Sequence, residues 1–252
     1  MLIIPVLDLL DGVVVRGVAG KRESYRPVES VIAASASPLD VAFAFRETFG
    51  LTTLYVADLD AILRGEPNHE LYRTLATEGF RLLIDSGLRH AADAEASLAA
   101  GATQVIAGLE TWPLLSSLEM LIRGLGAERV VFSLDLNAGV PVRTFFDLLS
   151  PVPLDIGTAV LEAGVRDMIV LDLAAVGVGR GVSTLPLCRE LADFAPRSKL
   201  ITGGGVRSSA DLQMIAAQNL HGVLIASALH TGAVTADELE SFGGTSEHGR
   251  ET

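Results

Sequence analysis

The segment KLITGGGVRSSADLQMIAAQNLHGVLIASA, residues 199–228, repeats an earlier segment of the same chain, RLLIDSGLRHAADAEASLAAGATQVIAGLE, residues 81–110. The two align without gaps, so that Gly87 falls on Gly205 and Asp93 on Asp211. Two shorter blocks repeat in the same order: LDLL at 7–10 matches LDLN at 134–137, and LYVADLD at 54–60 matches MIVLDLA at 168–174. A chance match is the alternative, but three matched blocks in one order favour two homologous half-barrels.

Short β-branched runs alternate with longer Ala- and Leu-rich stretches, a pattern typical of βα units around a parallel sheet. The eight predicted strands are residues 2–7, 52–58, 81–85, 104–108, 130–135, 168–172, 199–202 and 222–226. Helices are predicted between them at residues 39–49, 91–100, 114–125, 153–163, 185–194 and 210–217. This pattern in 252 residues predicts an α/β fold, a (β/α)8 TIM barrel, with residues 1–242 as one domain and 243–252 as a flexible C-terminal tail.

The composition excludes several classes of function. The formal net charge is -12 and the only lysines are Lys21 and Lys199, which argues against a nucleic-acid partner. The single cysteine, Cys188, cannot form an internal disulfide, and the five histidines show no ligand spacing, so neither a metal nor a cofactor is expected. No apolar run approaches the roughly 20 residues that span a bilayer. We therefore predict a cytoplasmic protein with no membrane partner, a monomer or a small homo-oligomer.

Three consecutive glycines, Gly203, Gly204 and Gly205, follow the seventh predicted strand; we call them the glycine turn. Successive backbone N–H groups in such a turn can point at an anion, and the loops after strands seven and eight of these barrels commonly form a phosphate site. Ala226 and Ser227, after strand eight, would then form its second wall. A plain tight turn is the alternative.

Acidic residues end the first six predicted strands or closely follow them. They are Asp8, Asp58, Asp85, Glu110, Asp135 and Asp172. Crowded carboxylates raise one another's pKa, which suits general acid/base catalysis, and they can also neutralise a cationic ligand or a divalent metal. For any single residue the alternative is a helix cap or a loop anchor.

Arginines in two loops are candidate substrate contacts. Arg22 and Arg26 lie in the first βα loop with Lys21 and Tyr25, and Arg180 follows the sixth strand. A mobile lid over an anionic substrate is one interpretation, and an ordinary solvated loop is the other.

The opening IIPVLDLLDGVVVRGVAG, the half-barrel repeat and the runs TGGGVRSSADL and VLIASAL together resemble the HisA/HisF family of histidine-biosynthesis barrels. The resemblance implies that Asp8 is a general base in an Amadori-type aldose-to-ketose isomerisation or a related cyclase reaction. It also matches Asp135 to the aspartate of strand five, and the glycine turn to a phosphate site.

The chain departs from this family at two places. The family has Asp-Gly-Thr after strand six, with the aspartate as general acid, where this chain has Val176, Gly177 and Val178. The first-half glycine turn, which holds a second phosphate, is replaced by Asp85, Ser86 and Gly87, which we call the aspartate turn. These changes indicate a divergent HisA/HisF-related member.

Three functions follow as hypotheses. The first is an isomerase-like enzyme acting by acid/base chemistry on a small monophosphate with an amine or cationic end, with Asp8 as base and Asp135, aided by Asp172, returning the proton. The divergent group also suggests a link to methanopterin-type one-carbon metabolism. The second is an authentic phosphoribosylformimino-aminoimidazole-carboxamide ribotide isomerase of histidine biosynthesis, in which Asp172 replaces the lost acid. The third is a non-catalytic barrel that binds a phosphorylated metabolite or a partner protein.

Overall fold

A computed structural model describes residues 1–148 and 150–242. Leu149 and the predicted tail at residues 243–252 lie outside the described residues. None of the helices in the described ranges has both the length and the apolar character needed to cross a membrane.

Eight parallel strands form a closed barrel, because the first strand pairs with the last as well as with its sequence neighbour in the barrel. In order around the barrel they are β1 (Leu2–Leu10), β4 (Thr53–Asp58), β5 (Arg81–Asp85), β6 (Gln104–Gly108), β7 (Val130–Asn137), β9 (Asp167–Asp172), β10 (Lys199–Gly203) and β11 (Gly222–Ile225). Each overlaps one of the eight predicted strands, so the predicted (β/α)8 barrel is confirmed.

Helices surround the barrel. They are α1 (Pro38–Phe49), α2 (Leu59–Arg64), α3 (His69–Thr77), α4 (Ala91–Ala99), α5 (Leu115–Leu125), α6 (Pro153–Glu162), α7 (Leu185–Phe194), α8 (Ser209–Ala216), α9 (Ser227–His230) and α10 (Ala236–Glu240). The six predicted helices correspond to α1, α4, α5, α6, α7 and α8, with ends that differ by one residue at most.

Three short antiparallel strands were missed. They are β2 (Val13–Arg16), β3 (Arg26–Pro27) and β8 (Val140–Pro141), which pair in a β1–β2–β3 meander and with β7. The meander turns the chain back over the barrel mouth, because Asp8 is in register with Val15, and Val15 with Pro27. The first βα loop therefore lies against the mouth on an ordered support.

Two separate hydrophobic layers follow from the alternation of side chains along each strand. One layer fills the barrel interior and includes Ile4, Tyr55, Leu83, Val131 and Ile169. The other lies between the strands and the helices, and contains the alternate positions, such as Leu54 and Val56 on β4. Whether a strand residue points into the barrel or toward the helices is thus decided by whether it occupies an odd or an even position along the strand, which we call its parity.

The two half-barrels share local hydrogen bonding as well as sequence. The N–H of Arg89 donates to Asp93 Oδ2 at 3.0 Å, and the N–H of Arg207 donates to Asp211 Oδ2 at 2.9 Å. Both pairs cap the start of a helix that follows a turn with positive φ at its last residue, Gly87 at +64° and Gly205 at +87°. The predicted two-half repeat is therefore visible in the structure.

Candidate active site

A cavity of about 780 Å³ opens at the carboxyl ends of the barrel strands. The residues that line it include Asp8, Asp85, Asp135, Gly204 and Ser227, which come from both half-barrels. In (β/α)8 enzymes this face carries the active site, because the βα loops supply variable side chains around one opening.

Three of the predicted carboxylates lie inside the barrel. Asp8, Asp85 and Asp135 have the same parity as the interior apolar residues of their strands, namely Ile4, Leu83 and Val131. Asp8 on β1 and Asp135 on β7 occupy opposite sides, because β7 is four strands from β1 in either direction around the barrel.

Burial raises the pKa of each of these three carboxyl groups. The pKa is about 7 for Asp8, where the negative charge of Asp85 adds to the effect of burial. It is about 7 for Asp135 and about 6 for Asp85, in spite of hydrogen bonds to the charged forms from Ser133, Gly87 and Tyr55. Carboxyl groups with these pKa values can both accept and release protons near neutral pH.

Asp58 and Asp172 are not brought into the cavity, which corrects their grouping with the mouth carboxylates. Both have the outward parity, next to the interior residues Ala57 and Leu171. Asp58 caps α2 through the N–H of Ala61 at 3.1 Å, and also accepts hydrogen bonds from Asn68 N and Tyr72 Oη.

Asp172 is engaged in the same way by the loops around it. It accepts from the N–H groups of Ala138, Gly139 and Ala174 at 2.9, 2.9 and 3.0 Å. The two aspartates superpose in the repeat, and in both halves the carboxylate fixes loop backbone. The alternative of a cap or loop anchor describes them better than the catalytic and substrate-binding roles predicted for them.

The glycine turn lies at the end of β10. Gly204 and Gly205 line the cavity and have φ of +85° and +87°, which L side chains rarely adopt. A Cβ on Gly205 would stand 2.2 Å from the carbonyl oxygen of Gly181, so the turn also needs glycine for close packing. Gly203 is buried against Leu224 and does not line the cavity.

The backbone N–H groups at this corner are available to a ligand. Among the loop and cap hydrogen bonds of the described residues, none has the N–H of Gly204, Gly205, Ala226 or Ser227 as donor. Ala226 and Ser227 line the cavity beside the turn. Four backbone N–H groups that have no acceptor among the described residues therefore belong to residues at one corner of the cavity.

The aspartate turn differs from its counterpart in one decisive contact. Asp85 Oδ1 accepts the N–H of Gly87 at 3.1 Å, and Asp85 Oδ2 accepts the hydroxyl of Tyr55 at 2.9 Å. Gly87 superposes on Gly205, so the N–H that stays available in the second half is bonded to a carboxylate of the chain itself in the first half.

The first βα loop contacts the opposite wall of the cavity. Arg22 Nη2 lies 2.6 Å from Glu110 Oε2, and both side chains line the cavity. Arg26 also lines it, but its guanidinium donates to the carbonyl oxygens of Glu23 and Tyr25. Arg180 is exposed and is not among the lining residues, so the structure does not bring it to the site.

Two tyrosines belong to the site; sequence reasoning missed Tyr55 and named Tyr25 only as part of the candidate lid loop. Tyr55 is 4% exposed and lies in the interior layer below Asp85. Tyr25, in the first βα loop, lines the cavity near Asp8. The interior parity of LYVAD was a signal for Tyr55, whereas nothing in the sequence fixes where a long loop folds back.

Within the described residues, no group of three or more His, Cys, Asp or Glu side chains has the arrangement of a metal site. The interior carboxylates are instead paired with hydroxyl and backbone donors.

The fold and the site together define a class of protein. It is a (β/α)8 barrel with carboxylates inside its mouth and a glycine-rich turn whose backbone N–H groups have no acceptor among the described residues. The family described as "Histidine biosynthesis protein" matches residues 2–235, and the chain belongs to that family. The resemblance found in the sequence is thereby confirmed.

Its relatives carry two kinds of name. The chain is 31% identical over 242 residues to an uncharacterised protein of Methanocaldococcus jannaschii, covering 95% of this chain and 97% of that protein. It is 29% identical to a Syntrophomonas wolfei protein, covering 93% and 95% of the two chains, and 28% identical to a Thermus thermophilus protein, covering 94% and 98%. The latter two are named 1-(5-phosphoribosyl)-5-((5-phosphoribosylamino)methylideneamino)imidazole-4-carboxamide isomerase.

Proposed function

We propose that the protein is an isomerase-like enzyme that acts by acid/base chemistry on a small monophosphate with an amine or cationic end. The observation that carries the proposal is the asymmetry of the two turns. The glycine turn offers free N–H groups, whereas the aspartate turn is occupied by the Asp85 carboxylate. One end of the cavity therefore suits an anion and the other a cation.

The phosphate is held by the glycine turn together with Ala226 and Ser227. Gly204 and Gly205 present backbone N–H groups that have no acceptor among the described residues, and these are joined by those of the segment after β11. A hydrogen bond to a charged oxygen contributes about 1.5–3 kcal/mol, so a few of them hold a phosphate without any lysine. Gly203 acts through packing, because its side toward Leu224 has no space for a side chain.

Asp8 and Asp135 are the acid/base pair. They line one cavity from opposite strands, and with pKa values of about 7 each can be in either protonation state near neutral pH. Asp8 takes a proton from a substrate carbon and Asp135 returns one to the neighbouring carbon, which is the pattern of an aldose-to-ketose isomerisation.

The cationic end of the substrate lies near Asp85. Arg22 already neutralises Glu110 at 2.6 Å. The hydrogen bonds that Asp85 accepts come from neutral donors, Gly87 and Tyr55, so Asp85 is the carboxylate whose charge a ligand cation can neutralise. In the bound state Arg22 and Arg26 close the loop side of the cavity, while Glu110 positions Arg22.

A second candidate is the isomerase activity for which the relatives are named, on a substrate whose name contains two phosphoribosyl groups. Retention of Asp8, Asp135 and the glycine turn favours it. The aspartate turn opposes it, because a second phosphate would meet a carboxylate of like charge there. A non-catalytic phosphometabolite-binding or partner-binding barrel would keep the glycine turn without needing a pair of interior acids.

Two experiments separate these functions. Expression in a strain that lacks the histidine-pathway isomerase tests the second candidate, and growth without histidine would establish it. Mass spectrometry of small molecules that copurify with the protein tests the first, which predicts a ligand with one phosphate and a basic nitrogen; a ligand with two phosphates would contradict it. The cytoplasmic location, the monomeric or small homo-oligomeric state and the link to methanopterin-type metabolism stay predictions.

A further inference from the structure

The Tyr25 hydroxyl lies in the cavity beside Asp8 and has no hydrogen-bond partner in the described part of the chain. The segment that carries it is fixed at several points. The N–H of Ala19 donates to the Val176 carbonyl oxygen at 2.8 Å, and Arg22 is paired with Glu110. The tyrosine ring therefore reaches the cavity from an ordered support, with its polar end free.

The space around Gly17 is bordered by both this hydroxyl and Asp8. A Cβ on Gly17 would stand 2.9 Å from Asp8 Oδ2, 3.1 Å from Val176 Cγ1 and 3.6 Å from Tyr25 Oη. The carboxylate, the phenol and an apolar side chain thus meet around one small space, which exists because residue 17 is glycine.

Several other polar groups near this space are already engaged by the protein. Asp172 accepts three backbone N–H groups outside the cavity, Tyr55 donates to Asp85, and Arg22 is held by Glu110. Val176, the cavity residue nearest to this space on the neighbouring loop, is apolar. Tyr25 thus offers, around the same space as Asp8, a hydroxyl that no group of the described residues engages.

We propose that Tyr25 is a catalytic residue, the group that moves a proton between the two substrate heteroatoms while Asp8 and Asp135 move protons at carbon. This inference rests on the proposed function. In the first half of the reaction, Asp8 removes the proton from the second carbon, and Tyr25 donates its proton to the oxygen or nitrogen on the first carbon, which gives an enediol or enaminol.

In the second half, the tyrosinate removes the proton from the hydroxyl on the second carbon, and Asp135 protonates the first carbon. The product is an isomer of the substrate, and Tyr25 has recovered its proton. Asp8 then releases the proton it gained to solvent, and Asp135 takes up one proton from solvent. No oxidant, reductant or further reactant is required.

The ionisation of Tyr25 is consistent with this role. Burial and the negative charge of Asp8 raise the pKa of Tyr25 to about 12, against the opposing effect of Arg22, while Glu110 and Glu23 add smaller effects in the same direction as Asp8. The phenol is thus protonated at neutral pH, as a donor must be.

The kinetic test compares the wild type with Tyr25→Phe and Asp8→Asn. The probes are ribose 5-phosphate, glucosamine 6-phosphate and the imidazole-carboxamide substrate of the named relatives. Isomerisation, and loss of the carbon-bound proton in D2O, are followed by NMR. We expect Tyr25→Phe to lower kcat by about 10²–10⁴-fold with little change in KM, because the phosphate contacts are untouched. Its melting temperature should be unchanged, because the hydroxyl has no protein partner.

The outcomes distinguish this inference from the proposed function. If Asp8→Asn is inactive but Tyr25→Phe keeps its kcat within twofold, Tyr25 is not catalytic and the proposed function stands. If the wild type neither converts nor exchanges a carbon-bound proton of these probes or of the monophosphate that copurifies with it, the proposed function fails and the role of Tyr25 fails with it.

A second measurement needs no substrate. The protein has three tyrosines, so 13Cζ labelling gives three NMR signals, and Tyr25→Phe identifies the one that belongs to Tyr25. Because Tyr25 faces Asp8, its signal should shift with a midpoint near pH 7, and this shift should disappear in Asp8→Asn. A Tyr25 signal that is constant from pH 5 to 9 would overturn the placement.

Discussion

Asp85 accepts a hydrogen bond from the backbone N–H of Gly87 at 3.1 Å, inside a turn whose counterpart in the second half begins with Gly203. Both turns end in a glycine with positive φ, Gly87 and Gly205, but only the first contains its own carboxylate, and Ser86 does not share the positive φ of its counterpart Gly204. Because a nest of N–H groups binds one anion at a time, the side chain at this position decides whether a ligand phosphate can enter.

Replacing Asp85 with glycine should open a second anion site. The N–H of Gly87 would lose its internal acceptor and become available to an anion, as the N–H of Gly205 is. Calorimetry with inorganic phosphate should then give two sites per chain where the wild type gives one. Asp11→Gly, at an exposed aspartate paired with Arg64, is the control and should keep one site. A single site in Asp85→Gly would mean that the Asp85 carboxylate is not what prevents phosphate from binding at the aspartate turn of the first half-barrel.

Gly204→Asp should abolish phosphate binding at the glycine turn, because it adds bulk and negative charge where the anion lies. The matched control is Gly79→Asp, since Gly79 has φ +87° against +85° for Gly204 but has open space around it and lies outside this cavity. Both variants have similar backbone strain, and only Gly204→Asp should lose affinity for phosphate in calorimetry. Equal affinity in the two variants would show that the site lies elsewhere.

Asp58→Asn and Asp172→Asn should reduce stability more than activity. Each aspartate accepts three close hydrogen bonds outside the cavity, and an asparagine can satisfy only part of them. We expect a loss of about 1–3 kcal/mol in the free energy of unfolding per variant. Denaturant unfolding measures this free energy. A variant that keeps its stability but has a much lower kcat would show that its aspartate acts in catalysis.

The interior carboxyls make stability depend on pH in a defined direction. The pKa of Asp135 is raised to about 7 in the folded state from 3.8, so the folded protein binds this proton more tightly than the unfolded chain. Its charge therefore destabilises the fold above pH 7, and the penalty disappears as the pH falls from about 7 to about 4.

The difference in melting temperature between Asp135→Asn and the wild type isolates this effect from other titrating groups, such as His230, whose lowered pKa acts in the opposite direction. The variant should melt higher than the wild type at pH 8, and the gap should narrow as the pH falls below 7 and close near pH 4. A gap that is independent of pH would contradict the raised pKa.

Much of the fold was readable from the sequence because it is repeated. The duplicated segments fixed the eight strands, the position of the glycine turn and the pairing of Asp8 with Asp135. The same repeat also paired Asp58 with Asp172, whose side chains lie on the outward side of their strands and do not line the cavity. A one-residue difference in parity moves a side chain from the inside of a barrel to its outside, and the run LYVAD already contained that information.

Other features depended on contacts between distant segments. The Arg22–Glu110 ion pair joins residues on different loops, and the meander that carries Tyr25 to Asp8 depends on two-residue strands such as Arg26–Pro27. Such short elements have no periodicity from which they could be predicted. The free hydroxyl of Tyr25 and the bonded hydroxyl of Tyr55 differ only in their surroundings, which the sequence does not specify.

The most direct test of the central claim is the steady-state kinetics and thermal melting of Asp8→Asn and Asp135→Asn on the substrate identified by mass spectrometry. Asparagine keeps the shape of the side chain but cannot take up the proton, so each variant should lower kcat by about 10²–10⁴-fold. The melting temperature at pH 8 should stay the same or rise, and phosphate affinity should be retained. Unchanged kcat with a lower melting temperature in both variants would contradict the account and identify the two aspartates as structural anchors of a binding barrel.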